Sequence, residues 1–394
     1  MLSFLLFLGL SFFLEVSGRR DVTTFEINLD ISPEHRYDAL LPQFNETVWG
    51  FYRDSFEGNT ALTDVLYGLS DKRGLENDEQ QAEIEGLARE SKLPLDFVKS
   101  IQMLYELQTI MVPIVNLTGS ENTLADYLPE EYKVLADLPW RGPGCTGIIA
   151  MNAQDKSVYH ARNLDFSPVD VMTNLVYNGV FTKGGKEVFR SQMVAGYTMA
   201  ITGYKPGKDG YAIERNTRYT DHKKGFYEMI QNLISGRPLN GWTVRQVLVT
   251  EATFDGAIQA LDSAKYASSE YAIVSGVKKG VILSKNPEYT AFKQTLGEKN
   301  FDERDDYIIM TNFDFFWKDL REYFDPTGGQ IGHPRRIAAQ KLLNATEEGS
   351  LDGETLFNVI NAQGVLADTI FQAIINVELD IWNISLPDIP DERE

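Results

Sequence analysis

The chain has 394 residues, 37 Lys and Arg against 57 Asp and Glu, a formal net charge of −20 and a pI near 4.7. That balance argues against nucleic acid as a partner and against general attraction to anionic lipid, while suiting either an acidic lumen or plain solubility. A single cysteine, Cys145, excludes any disulfide within the chain, and a chain of this length builds a large core without one.

Residues 1–18 (MLSFLLFLGLSFFLEVSG) are nearly all apolar up to Leu14, and small residues follow at Ser17 and Gly18. They read as a signal peptide, with a buried N-terminal helix as the alternative. Four N-x-S/T sequons, at Asn45, Asn116, Asn344 and Asn383, fit passage through a glycosylating lumen. Acidic helical segments follow, such as 78–85. Residues 95–111 carry an apolar stripe at helical spacing that Pro113 is expected to end, facing the core or touching a membrane. Residues 112–144 read as an irregular connector.

Beyond Cys145 the pattern changes. CTGIIAMN is a buried-type strand, 153–157 a turn and VYHARNLDF a return strand. Further strands are expected in 174–182, 187–204, 210–216, 270–276, 279–285 and 305–317. Helices are expected at 224–235 and 243–264, and helices near 334–344 and 353–362 close the chain. Strands grouped between helices suggest a layered α+β fold.

Why an exported chain keeps one thiol is the central chemical question. The thiol is inert, bridged to another chain, or reactive. A reactive thiol needs a base, and none of His35, His160, His222 and His333 stands in a cysteine-protease context. Cleavage before Cys145 supplies one, because the new α-amino group has a reference pKa near 7.7–8.0. Gly142-Pro143-Gly144 suits that cut, with no Cβ on Gly144 to obstruct attack on its carbonyl. Arg162 and Asp165 lie on the strand that returns toward Cys145. Arg162 can favour the thiolate and Asp165 can orient the amine. Three residues apart, they face opposite sides of a regular strand. A bulge or the strand end is needed to bring both to one site.

The run CTGIIA…VYHARNLDF resembles the C-T-S-I-V-A…H-G-R-N-x-D-[FY] signature of the acid ceramidase and N-acylethanolamine acid amidase family, within the N-terminal nucleophile (Ntn) hydrolases. FEINLDISPEHRYDALL (25–41), AGYTMAITGYKPG (195–207), AIERNTRY, TNFDFFW and PRRIAAQKLLN resemble further family segments in the same order. The resemblance implies an Ntn-type αββα four-layer sandwich in residues 145–394, preceded by a helical α-chain in 19–144. It implies a precursor that cuts itself before Cys145 to give an α/β heterodimer. It implies roles for Cys145 as nucleophile, Arg162, Asp165, Glu214, Asn312 as oxyanion donor, and Arg335, with Arg336 as its alternative. The implied activity is hydrolysis of the amide bond of ceramide or an N-acylethanolamine in the lysosome or another acidic lumen. The implied partners are a lipid amide and, transiently, a membrane or micelle surface; no metal or cofactor is needed. Phe313, Phe315 and Trp317 are candidates to line an acyl channel.

The chain departs from the family pattern in three ways. About thirty-five residues separate YELQTI (105–110) from Cys145, where the family has almost none. Gly147 and Ala161 replace Ser and Gly. The disulfide that ties α to β in animal acid ceramidases cannot form. A small-amide hydrolase of bile-salt or penicillin type and a silent secreted lipid-binding protein are the competing readings.

Overall fold

A computed structural model describes residues 20–116, 144–219, 223–298, 304–316 and 333–387. The expected signal peptide, most of the connector before Cys145 and Trp317 lie outside these residues.

The N-terminal part begins with two short strands, β1 (Arg20–Asp21) and β2 (Thr24–Asn28). A 3₁₀ turn (Pro33–His35) and five helices follow: α1 (Leu41–Ser55), α2 (Thr60–Arg73), α3 (Asp78–Ser91), α4 (Leu95–Ile101) and α5 (Leu104–Asn116). Asn59 and Asn77 cap α2 and α3, their side chains accepting from Leu62 and Gln80 N–H. The stripe at 95–111 therefore forms two helices rather than one, and α5 runs on through Pro113 instead of ending there. Proline costs such a helix one backbone bond, which leaves the other bonds of its last turn available.

The rest of the chain supplies β3 (Gly144–Met151), β4 (Val158–Asp165), α6 (Val169–Thr173), β5 (Val176–Lys183), β6 (Lys186–Val194), β7 (Thr202–Lys205) and β8 (Tyr211–Thr217). Next come α7 (Lys223–Ile234), α8 (Asn240–Thr250), α9 (Phe254–Ser263), β9 (Glu270–Gly276), β10 (Lys279–Lys285), β11 (Thr290–Thr295) and β12 (Tyr307–Met310). The described chain closes with α10 (His333–Ala345), α11 (Gly353–Ile360), β13 (Thr369–Asn376) and β14 (Ile381–Leu386). The expected helix at 243–264 is two helices. Thr253 caps the second, its hydroxyl accepting from Gly256 N–H, and a capping side chain there starts a new helix rather than continuing the old one.

The strands form two sheets, in the orders β1-β14-β13-β4-β3-β12 and β11-β10-β9-β8-β7-β6-β5-β2. They meet where β3 and β4 lie over β8 and β9. Helices α10 and α11 cover the outside of the first sheet, and α8 and α9 cover the second. The expected α+β class and its four-layer αββα order are thus present. β3 is covered on both faces, which is why its sequence reads as a continuous apolar run rather than an alternation.

Two expectations change. The N-terminal part is not helical alone: β1 adds to the edge of the first sheet beside β14, and β2 adds to the second, parallel to β5. Nor do helices end the chain, since β13 and β14 follow, with β13 inserted next to β4. TIFQAIIN is buried along its whole length, and without alternation its apolar run cannot be told from helix by period.

Candidate active site

β3 and β4 pair without a register break, with Gly144 opposite Asp165, Cys145 opposite Leu164 and Gly147 opposite Arg162. Directly opposed residues share a face. Cys145, Gly147, His160, Arg162 and Leu164 therefore look inward at the second sheet. Gly144, Thr146, Asn163 and Asp165 look outward at the helices. The spacing argument thus holds: Arg162 and Asp165 stand on opposite faces of β4, one on each side of the Cys145 backbone. The register shift in this neighbourhood lies between β13 and β4, at Thr369–Phe371.

On the inner face, Arg162 Nη2 is 3.8 Å from Cys145 Sγ. The guanidinium is fixed by Ile201 O (2.8 Å from Nη1), the Thr202 hydroxyl and Arg215 O (3.1 Å from Nη2). Glu214, on β8, sits between His160 and Arg162. Its Oε2 is 2.8 Å from His160 Nε2, and its Oε1 is 3.8 Å from Arg162 Nε. Gly147 makes this possible. A Cβ there would lie 2.6 Å from Glu214 Oε1 and 2.5 Å from Ile273 Cδ1, closer than real contacts allow.

On the outer face, Arg335 of α10 reaches Thr146 Oγ1 (2.9 Å), Asp165 Oδ2 (2.8 Å) and Asn312 Oδ1 (2.7 Å). Arg336 covers the ring of Phe315 at 3.8 Å, while Arg335 makes the three contacts just given. Asp165 Oδ1 accepts from Thr369 Oγ1 at 2.5 Å. Asn312 Oδ1 accepts from the Cys145 N–H at 2.8 Å, and its Nδ2 donates to Thr217 O at 2.9 Å. That orientation is forced, because turning the amide would set donor against donor. In the continuous chain the amide nitrogen expected at an oxyanion is thus engaged elsewhere.

Six expected residues, Cys145, Arg162, Asp165, Glu214, Asn312 and Arg335, therefore converge on one buried point. Gly144 fits it closely, since a Cβ there would meet Asp165 Oδ2 at 2.8 Å and Arg335 Nη2 at 3.1 Å. Burial pushes the Cys145 thiol above its ordinary value, and the opposing pull of Arg162 and the Tyr105 hydroxyl is the weaker effect. Burial likewise raises the Asp165 carboxyl, against Arg335 and the Thr369 hydroxyl, which lower it.

Several contributors went unread in the sequence. Tyr105, the first residue of YELQTI, places its hydroxyl 3.5 Å from Cys145 Sγ, and its ring lies 4.4 Å from the Arg215 guanidinium. Glu106 pairs with Arg215 at 2.8 Å. The motif resemblance marked this segment without assigning it to the site. Thr369 stands in no motif. His160 was visible within the HARN run but had no partner until the sheets were stacked.

An apolar cavity opens against Tyr105 and Leu164, two neighbours of the thiol. Phe51, Ile101 and Tyr105 of the N-terminal helices form one wall, and Leu164, Leu175 and Ile201 of the sandwich form another. Leu164 is the cross-strand partner of Cys145. Phe313 and Phe315 are not among the lining residues; they pack against Tyr219 and Arg336 instead. Among the described residues no group of His, Cys, Asp and Glu could hold a metal ion, and no helix is long and apolar enough to cross a membrane.

No family model matches the chain. It is 25% identical over 389 residues to an N-acylethanolamine-hydrolyzing acid amidase of Caenorhabditis elegans, covering 96% of this chain and 93% of that one. It is 23% identical over 402 residues to an acid ceramidase of Heterocephalus glaber, covering 95% and 88%. It is 30% identical over 221 residues to the mouse (Mus musculus) N-acylethanolamine-hydrolyzing acid amidase, covering 55% and 56%. Among solved structures, the Caenorhabditis elegans N-acylethanolamine-hydrolyzing acid amidase ortholog matches 63% of this chain and 94% of its own, with 26% identity and a TM-score of 0.48.

Proposed function

The chain is a homologue of N-acylethanolamine-hydrolyzing acid amidases and acid ceramidases over about 95% of its length, and we propose that it is a self-activating cysteine amidase of N-acyl lipids. The observation that carries this reading is the single thiol of the chain, buried at the meeting point of Arg162, Tyr105 and an apolar cavity, with its own backbone nitrogen already held by Asn312.

In the continuous chain the Cys145 thiol attacks the Gly144 carbonyl. The acyl group moves from nitrogen to sulfur, and water hydrolyses the thioester. Gly144 is left as a carboxylate and Cys145 as a free amine and thiol. Residues 20–116 stay in place without a disulfide. β1 and β2 are paired into both sheets, and Glu106 and Glu83 reach Arg215 and Arg245 of the sandwich in buried ion pairs. The new α-amine lies where Asn312 Oδ1 accepts from it, with Asp165 and Arg335 on the outer face. It takes the thiol proton, and the thiolate adds to the amide carbonyl of a substrate whose acyl chain fills the cavity. The tetrahedral intermediate expels the amine, which takes its proton from the α-ammonium group. Water then hydrolyses the acyl thioester, returning the thiol and a fatty acid. Arg162 favours the thiolate, and hydrogen-bond donors around the former carbonyl oxygen stabilise the intermediate.

The relatives' names divide between ceramides and N-acylethanolamines. The expected compartment is an acidic lumen reached through the secretory route. Of the sequon asparagines, Asn383 is exposed on β14, whereas the Asn344 side chain accepts a hydrogen bond from Tyr307.

The test is to acidify the purified full-length protein and sequence any new N-terminus. It should begin Cys145-Thr146-Gly147, and Cys145→Ala should remain uncut. The cut protein should then release fatty acid from labelled ceramide or N-palmitoylethanolamine. Release by Cys145→Ala, or by neither substrate with a correctly cut protein, would overturn the reading.

A further inference from the structure

The opposite charges between the two sheets are not paired as fully as their spacing permits. Arg162 Nε and Glu214 Oε1 are 3.8 Å apart, both side chains are fully buried, and neither atom has a hydrogen-bond partner. Buried donors and acceptors are nearly always satisfied, and an approach of about 1 Å would satisfy both of these at once. Something holds them apart.

The carboxylate is held from behind. Glu214 Oε2 lies 2.8 Å from His160 Nε2, and His160 Nδ1 lies 3.0 Å from Ser275 Oγ. A carboxylate only accepts, so Nε2 donates to it and the Ser275 hydroxyl serves Nδ1. The network spans both sheets: His160 stands on β4 of one, and Glu214 and Ser275 on β8 and β9 of the other. The guanidinium is also held, by Ile201 O, Thr202 and Arg215 O, and its Nη2 faces Cys145 Sγ.

We propose that His160, braced by Ser275, is a positioning residue that keeps Glu214 off Arg162, so that the guanidinium charge is left to serve the Cys145 thiol. Without His160 the carboxylate closes on Arg162 and neutralises a cation that faces the sulfur on the inner face. Among the described residues, the other charged or titratable groups around the thiol include Glu214 of β8, Asp165 of β4, Tyr105 of α5, Tyr219 after β8 and, behind Asp165, Arg335 of α10. Among the described residues, those facing Glu214 include His160, Arg162 and the Cys145 thiol itself. This inference rests on Cys145 being the nucleophile.

The lone cysteine makes a direct test possible. Full-length protein labelled with ¹³C at cysteine Cβ gives one resonance that reports thiol ionisation. His160→Leu should move its titration midpoint upward by about one pH unit, the lower end of what a nearby opposite charge supplies. His160→Gln, whose amide can donate to Glu214, should titrate close to the wild type. In a Glu214→Gln background, His160→Leu should have no effect on the midpoint. Should His160→Leu fail to fold, Ser275→Ala gives the same reading, with a smaller upward move expected. A wild-type midpoint in the foldable variant, an equal shift in His160→Gln, or a shift that persists with Glu214→Gln would overturn the proposal. A purely structural role would lower thermal stability without moving the midpoint. Because no substrate is used, failure to hydrolyse a lipid amide would count against the proposed activity and leave this result standing.

Discussion

Thr369→Val tests whether the ionised form of Asp165 matters. Valine keeps the shape and β-branching of threonine on β13 and removes one hydroxyl. That hydroxyl is 2.5 Å from Asp165 Oδ1, deep in the structure, and Arg335 holds the other oxygen. A hydrogen bond to a buried charged group is worth about 1.5–3 kcal/mol. Its loss falls mainly on the ionised state, since a protonated carboxyl needs the donor far less. At 1.36 kcal/mol per pH unit, the Asp165 carboxyl should rise by about one to two units beyond its already raised position. The sign follows directly. A carboxyl raised further is protonated over a wider acidic range, so activity that needs the carboxylate should fall off at a higher pH on the acid side. The assay is kcat/KM against pH with a fluorogenic N-acyl amide, for wild type and variant. Processing is checked by N-terminal sequencing and folding by thermal melting. An acid limb that stays in place, with the variant folded and cut, would refute the idea that Asp165 works as an anion held by Thr369 and Arg335.

Burial and the cavity set three further outcomes. Burial raises the carboxyls of Glu270, Glu76 and Asp165 in the folded chain. Such groups favour folding while protonated and lose that contribution as pH climbs from the unfolded value through the folded one. Melting temperature should therefore be higher near about pH 5 than about pH 7.5, and Glu270→Gln should narrow the difference; an equal difference in the variant would show that Glu270 does not contribute. Each methylene buried in the cavity adds up to about 0.8 kcal/mol, so kcat/KM should rise by up to about fourfold per methylene until the space is filled. Leu175→Phe, on the cavity wall, should depress turnover of palmitoyl amides more than octanoyl amides, and an equal loss on both would place the acyl chain elsewhere.

Much of the site was legible in the sequence because its chemistry is local. One cysteine behind a glycine, opening a buried strand, with Arg162 and Asp165 on the returning strand, is a hairpin whose pairing follows from a short turn. Even the opposite facing of Arg162 and Asp165 came from strand period alone. The strands β9 and β10 were equally readable, since two apolar runs, 270–276 and 279–285, stand only two residues apart.

What needed the tertiary structure is everything that crosses between layers. Whether Arg335 or Arg336 reaches the site depends on how α10 rotates over the first sheet, and the two are adjacent in a sequence that favours neither. Gly147 stood in the sequence only as a departure from the family's Ser; the stacking of β8 over β3 puts the Glu214 carboxylate where a Cβ would stand. Thr369 and Tyr105 come from opposite ends of the chain, and no spacing rule connects them to Cys145. Nor could sequence tell that burial outweighs Arg162 at the thiol, because desolvation is set by the summed packing of both sheets and the N-terminal helices. The residue types that carry the chemistry are written along the chain, but their distances and ionisation arise only when separate elements exclude water from the same point.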